Sequence, residues 1–144
     1  RFDPFLCQAH HLQALCLVLQ DEALATRAAA LKVLGRLSRQ NPAIVLPVMR
    51  KFLVDLITEL RCGGDAGRSR EEATRLLKVF LRADSLNRLV QPVLPTIVEA
   101  LPLQGVPPRL ASAALEVMGE LAQASGPALR PWVPQLIPHI LETM

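Results

Sequence analysis

Four side chains near the start of the chain, Cys7, His10, His11 and Cys16, are of the types that ligate zinc. A closed zinc site needs about four ligands held in tetrahedral geometry. Cys7 and His11 stand four residues apart and share a helix face, but Cys16 lies more than two turns from Cys7. One helix cannot close that cage, so the expectation is buried thiols and solvated imidazoles, with no metal. Gly63-Gly-Asp-Ala-Gly67 is glycine-rich but lacks the Lys-Ser/Thr that would make it a phosphate-binding loop. It reads as a turn between helices. Ser38, Ser69, Ser112 and Ser125 have no His and Asp arranged for nucleophilic catalysis. His139 stands alone in the sequence and is expected on an exposed helix face. No catalytic, cofactor-binding or metal-binding residue is therefore expected, and no cofactor.

Basic residues pose the next question. Lys32 and Arg39 on one helix match Arg75 and Arg82 on the next, which could begin a basic stripe. In the third copy the same positions become Glu116 and Gln123, and Arg36 is answered by Glu120. A phosphate-tracking groove needs positive charge that continues, because its affinity is the sum of many contacts. With no Tyr and a single Trp, stacking platforms for bases are also missing. Nucleic acid is not an expected partner. Arg50, Lys51, Arg130 and Trp132 are the candidates for protein docking, with packing against the preceding unit the favoured role for Trp132.

The elements that position these residues follow from a repeat. Leu31-Lys-Val-Leu-Gly-Arg-Leu37 returns 84 residues on as Leu115-Glu-Val-Met-Gly-Glu-Leu121, and Pro47–Leu53 returns as Pro131–Ile137. Leu76, Leu77 and Phe80, followed by Pro92-Val-Leu-Pro-Thr-Ile-Val98, form an intermediate copy. The period of about 42 residues falls among the two-helix HEAT and armadillo-type units. Such units cannot bury their own apolar faces and must stack. The expected fold is all-α, an α-α superhelix of HEAT/armadillo-like type. It has seven helices in about three and a half repeats, with units near 1–40, 41–83, 84–124 and a partial 125–144.

Apolar spacing places helices over Leu12–Leu19, Glu22–Arg39, 42–60, Ser69–Leu81, Ser85–Pro102, Pro108–Ala124 and Pro127–Thr143. Asn41-Pro42 supplies an N-cap and a first-turn proline, and Ser69-Arg-Glu-Glu72 has capping-box spacing. Pro47, Pro92, Pro95, Pro131, Pro134 and Pro138 all fall in alternate helices. An interior proline costs roughly 3 kcal/mol. Those helices are expected to form an outer layer where freed carbonyls reach water, with the proline-free helices inside. Gly35 and Gly119 hold one equivalent position and predict close helix approach, whereas the middle copy has Lys78 there.

Half the residues are apolar, 51%, and only 3% are aromatic, so Leu, Val, Ala and Ile must carry the burial. The net charge of +3 implies no particular partner. No apolar stretch reaches the roughly 18 residues of a membrane span. Three cysteines form neither an even framework nor a CxxC pair, which reads as free thiols in a reducing setting. The chain starts at Arg1 and stops inside an apolar helical pattern, as an excised part of something longer would.

The wording of the sequence is more specific than its period. Gly35-Arg-Leu-Ser38, Asn41-Pro-Ala43, Val45, Pro47, Arg50-Lys51, Leu53 and Thr58-Glu-Leu60 resemble the N-terminal HEAT region of the target of rapamycin (TOR) kinase family. So do Arg1-Phe-Asp3, Leu12-Gln-Ala-Leu15, Gly119-Glu-Leu-Ala-Gln123, Ser125-Gly126, Arg130 and Trp132-Val133, while Cys62–Asn87 departs from the pattern. The resemblance implies a very large Ser/Thr protein kinase of the phosphatidylinositol-kinase-related class, acting in growth and nutrient signalling. This part would be non-catalytic scaffold, since neither a His-Arg-Asp nor an Asp-Phe-Gly motif is present. Implied partners are a Raptor-type adaptor and other parts of a TOR dimer. The implied setting is the cytoplasm, with the lysosome or vacuole surface reached through the parent complex and some nuclear presence. The alternative is a HEAT-type adaptor or nuclear-transport receptor with no kinase attached. HEAT units also place an aspartate in the intra-repeat turn and an arginine early in the second helix to bridge layers. Asp21 with Arg27, and Asp65 with Arg70, fit that scheme, and Arg109 in the third unit has no aspartate before it.

Overall fold

The computed structural model describes residues 2–63 and 67–143. Its helices are α1 (Asp3–Leu6), α2 (Ala9–Val18), α3 (Leu24–Leu37), α4 (Pro42–Cys62), α5 (Gly67–Leu81), α6 (Asn87–Val90), α7 (Leu94–Ala100), α8 (Pro108–Ser125) and α9 (Val133–Thr143). Short 3-10 turns cover Asp84–Leu86, Gln91–Val93 and Gly126–Trp132. No strand occurs among the described residues. The chain is an all-α helical-repeat solenoid.

The seven expected helices are present, with α1 as an added opening turn, but two of them are segmented. The stretch expected as Ser85–Pro102 runs as a 3-10 turn, α6, a second 3-10 turn around Pro92, and α7. The stretch expected from Pro127 runs as a 3-10 turn through Pro131 and then α9. The cause is local. Each proline removes an N–H that an i−4 carbonyl would accept, and two prolines three residues apart leave no turn in which the ladder recovers. Pro95 and Pro134 then sit in the first turn of α7 and α9, where no N–H is needed. Pro47 is carried inside the long helix α4, and Pro138 inside α9.

Helices α3, α5 and α8 pack side by side as one layer. None has an interior proline; Pro108 only opens α8. Helices α2, α4 and the α6–α7 segment stack as the other, and α9 closes onto α8. Pro47, Pro92, Pro95, Pro131, Pro134 and Pro138 are all solvent-exposed, so the carbonyls they free can find water. Between the layers lies one continuous core running from Leu12 to Leu136. Leu31, Leu34 and Leu37 from α3, Val45, Met49 and Leu60 from α4, and Leu76, Leu77 and Phe80 from α5 have no exposed surface.

Two start signals act differently from expectation. Asn41 holds the N-cap position of α4, but its side-chain Nδ2 donates to the Cys7 carbonyl at 3.1 Å rather than capping its own helix. The amide thus ties the start of α4 to the residue that follows α1. Helix α5 begins at Gly67, so Ser69 lies inside the first turn and is not its N-cap.

Gly35 and Gly119 also diverge. A Cβ on Gly35 would come 2.9 Å from the Ala83 Cβ, because the turn after α5 lies directly against α3 there. The Gly35 carbonyl accepts from both Ser38 Oγ at 2.7 Å and Ser85 Oγ at 2.6 Å, and the two hydroxyls meet at 2.9 Å. Nothing lies within 4 Å of a Cβ built on Gly119. The close approach expected at both positions exists only at Gly35. Gly35→Ala is expected to lower unfolding stability by about 1–2 kcal/mol through overpacking. Gly119→Ala is expected to raise it by about 0.5–1 kcal/mol through helix propensity alone. Urea unfolding of the two variants checks both signs.

Candidate functional site

Of the residues expected to bridge repeats, Arg27 does so through a partner on another helix. Its guanidinium meets Glu72 Oε2 on α5 at 2.7 Å, with side-chain exposures of 15% and 23%. Asp21 is not its acid: Asp21 Oδ1 accepts from the Ala23 N–H at 2.8 Å and closes the turn before α3. Glu72 stands one turn into α5, opposite Arg27 on the neighbouring helix of the same layer. Nothing in the spacing of Asp21 could reveal this, because it depends on how α3 lies against α5. Asp65 lies outside the described residues. Arg70 donates from Nε to the Leu60 carbonyl at 3.2 Å, tying α5 to the end of α4.

The docking candidates are not brought together. Arg50 and Lys51 are exposed on α4, and Lys51 borders a cleft of about 570 Å³ between α2 and α4, lined also by Leu17, Val48, Phe52 and Asp55. Arg130 is exposed in the turn before α9, and Trp132 is half-buried against the core. Three large apolar side chains, Val133, Ile137 and Leu141, recur every four residues on α9 and are exposed.

The reactive side chains do not assemble. No three His, Cys, Asp or Glu converge on a metal-sized point among the described residues. His11 stacks between Phe5 and His10, with ring centroids 4.3 and 3.8 Å away. The thiols are less buried than expected: Cys7 and Cys16 are half-buried and Cys62 is exposed. Desolvation pushes both the Cys7 and Cys16 thiols above their ordinary range, with Asp3 adding to the effect at Cys7. Both are poor thiolates. His139 is not isolated, since its Nδ1 lies 2.7 Å from Gln104 Nε2. No described helix is long and apolar enough to cross a membrane.

Charge is organised along the α3–α5–α8 layer. Lys78 pairs with Glu116, and Arg82 Nε donates to Glu120 at 2.7 Å, so the seam between α5 and α8 is neutralised. The hydrogen bond from Lys78, and then its charge, hold the Glu116 carboxyl below its ordinary range. On the preceding seam Glu72 answers Arg27, but the positions equivalent to Glu116 and Glu120 hold Arg75 and Val79. A groove of about 490 Å³ there is bordered by Lys32, Arg36, Arg39, Arg75, Lys78 and Arg82, over a floor of Gly35, Val79 and Ala83. The sequence signals the charges of this groove but not the groove itself, which depends on how α3 lies against α5 and the turn after it.

These features define a helical-repeat solenoid segment. Over 99% of its length the chain is homologous to the TOR Ser/Thr protein kinases. It is 38% identical over 150 aligned positions to the Serine/threonine-protein kinase TOR of Oryza sativa subsp. japonica and 37% to that of Arabidopsis thaliana. It is 34% identical over 143 positions to TOR2 of Saccharomyces cerevisiae. The chain spans about 6% of the length of these relatives. No protein-family model matches it.

Two predictions come from the buried charges. Arg27→Ala is expected to cost roughly 2–3 kcal/mol, the worth of a charge-assisted hydrogen bond whose partner is left behind. Denaturant unfolding measures it. Glu59 is pushed above its ordinary range mainly by desolvation; Asp55 and Glu72 add to this and Arg27 opposes it. An acid with a raised folded-state pKa favours folding when protonated, and that advantage is lost as pH rises through the raised value. Glu59→Gln is therefore expected to raise the melting temperature at pH 7. The gain should vanish at about pH 4, where the wild-type carboxyl is itself largely protonated.

Proposed function

We propose that this chain is a non-catalytic helical scaffold and protein-docking segment of a TOR-type Ser/Thr protein kinase. The observation that carries the reading is similarity that runs through turns as well as helices over 99% of the chain. Solenoids share a loose apolar pattern whatever they do, but that pattern does not by itself yield 38% identity to one kinase. The surfaces support the same reading. They offer grooves and exposed charge with no converging reactive groups, which is the equipment of a binder. In its parent the segment would support complex assembly and the docking of a Raptor-type adaptor, in the cytoplasm and at endomembranes.

The test uses the full-length parent. Phe80→Asp places a charge in the core where α5 meets its neighbours, since Phe80 is fully buried. Expected is loss of adaptor co-purification, while phosphorylation of a short peptide that needs no adaptor persists. Loss of peptide phosphorylation with the adaptor retained would overturn the reading. A parent transcript that ends after further helical repeats, with no kinase segment, would overturn it in favour of a solenoid adaptor.

A further inference from the structure

We infer that the groove between α3 and α5 is a docking site for an acidic, carboxylate-rich segment of a partner protein. The inference rests on the scaffold reading above and adds the face and the chemistry of what it holds. It starts from a comparison of two seams in one molecule. Between α5 and α8, the cations Lys78 and Arg82 are met by Glu116 and Glu120 of the following helix. By the repeat register, the position of Glu116 is occupied on α5 by Arg75, and that of Glu120 by Val79. The turn after α3 therefore offers Arg39 where the register on α5 has Val79 and no acid.

The pairing record bears this out. Arg36 is held by Asp3 at 2.8 Å, and Arg75 by Glu71 on its own helix at 2.5 Å. Lys32 and Arg39 have no carboxylate among the described residues, and both are exposed. Asp84 is the one acidic side chain bordering the groove. Like charges gathered on one face raise the potential there and favour an anionic occupant. Lys32 lies on α3 and Arg39 in the turn that follows it, both at the border of this groove.

A polyanion of the nucleic-acid kind fits less well. The positive face ends at α8, where Glu116 and Glu120 would repel a continuing phosphate backbone. The floor of Gly35, Val79 and Ala83 is apolar and has no aromatic ring on which a base could stack. It suits a peptide whose side chains alternate between acidic and small apolar.

The probe is a fluorescein-labelled peptide of alternating Glu and Ala, twelve residues long, titrated into the full-length protein with anisotropy as readout. Expected is binding that weakens as salt rises, and that falls at least tenfold in Lys32→Glu/Arg39→Glu. Arg88→Glu/Arg109→Glu, with the same change in net charge elsewhere, should bind as the wild type does. Neither residue of the first pair has an ion-pair partner among the described residues, and circular dichroism melting confirms that the variant folds. Equal peptide binding in both double variants would overturn the inference. So would a single-stranded RNA of twelve nucleotides that binds more tightly than the peptide and is lost in the same variant. Adaptor co-purification, measured in parallel on Phe80→Asp, reports on the scaffold reading separately, so either can fail without the other.

Discussion

Burial of α5 on three sides is the constraint on which the rest of this structure depends. Ala73, Leu76, Leu77 and Phe80 are fully withdrawn from water, and they touch α3, α4 and α8. Each such large side chain is worth about 1.5–3 kcal/mol of transfer from water, so this helix concentrates a large share of the driving force. In a solenoid, stability is close to a sum of units and nearest-neighbour interfaces. Removing the α5 interface would leave α1–α4 and α8–α9 with almost nothing in common. The same burial sets the charge pattern outside, because it fixes which turns of α5 face α3 and which face α8.

Much of this was legible in the residues. A period of about 42 with apolar positions three and four apart specifies stacked helix pairs, whatever their detailed packing. The proline distribution separated the two layers correctly, since proline acts through its own backbone and needs no knowledge of neighbours. What it did not reveal was the segmentation around Pro92 and Pro131. A lone proline such as Pro47 bends a helix, whereas pairs spaced by three collapse it into 3-10 turns; the spacing was visible, its consequence less so.

The sites were less legible, and for a different reason. Arg27 finds Glu72, 45 residues away, on the neighbouring helix of the same layer. Asp21, which looked like its partner in sequence, turns back to its own chain at Ala23. Gly35 and Gly119 are indistinguishable by local sequence, yet one is pressed against Ala83 and the other faces open space. In each case the deciding fact is which helix lies opposite. Local spacing fixes a residue's face on its own helix, but the neighbour is set by the stacking of whole units.

Repetition also explains how one fold can supply both cohesion and recognition. Stacked units place equivalent positions opposite one another at every seam, so a single exchange of charge sign decides what a seam does. With Glu116 and Glu120, the seam after α5 is closed by ion pairs of its own. With Arg75 and Val79 in those places, the seam before α5 keeps its apolar contacts but leaves Lys32 and Arg39 without a carboxylate among the described residues. Exposed ion pairs contribute little to stability, typically under about 1 kcal/mol, so that exchange is cheap for the fold. The buried interface beneath holds the layers in either case. A solenoid can therefore vary its surface seam by seam while its core stays fixed, and this chain carries both versions side by side.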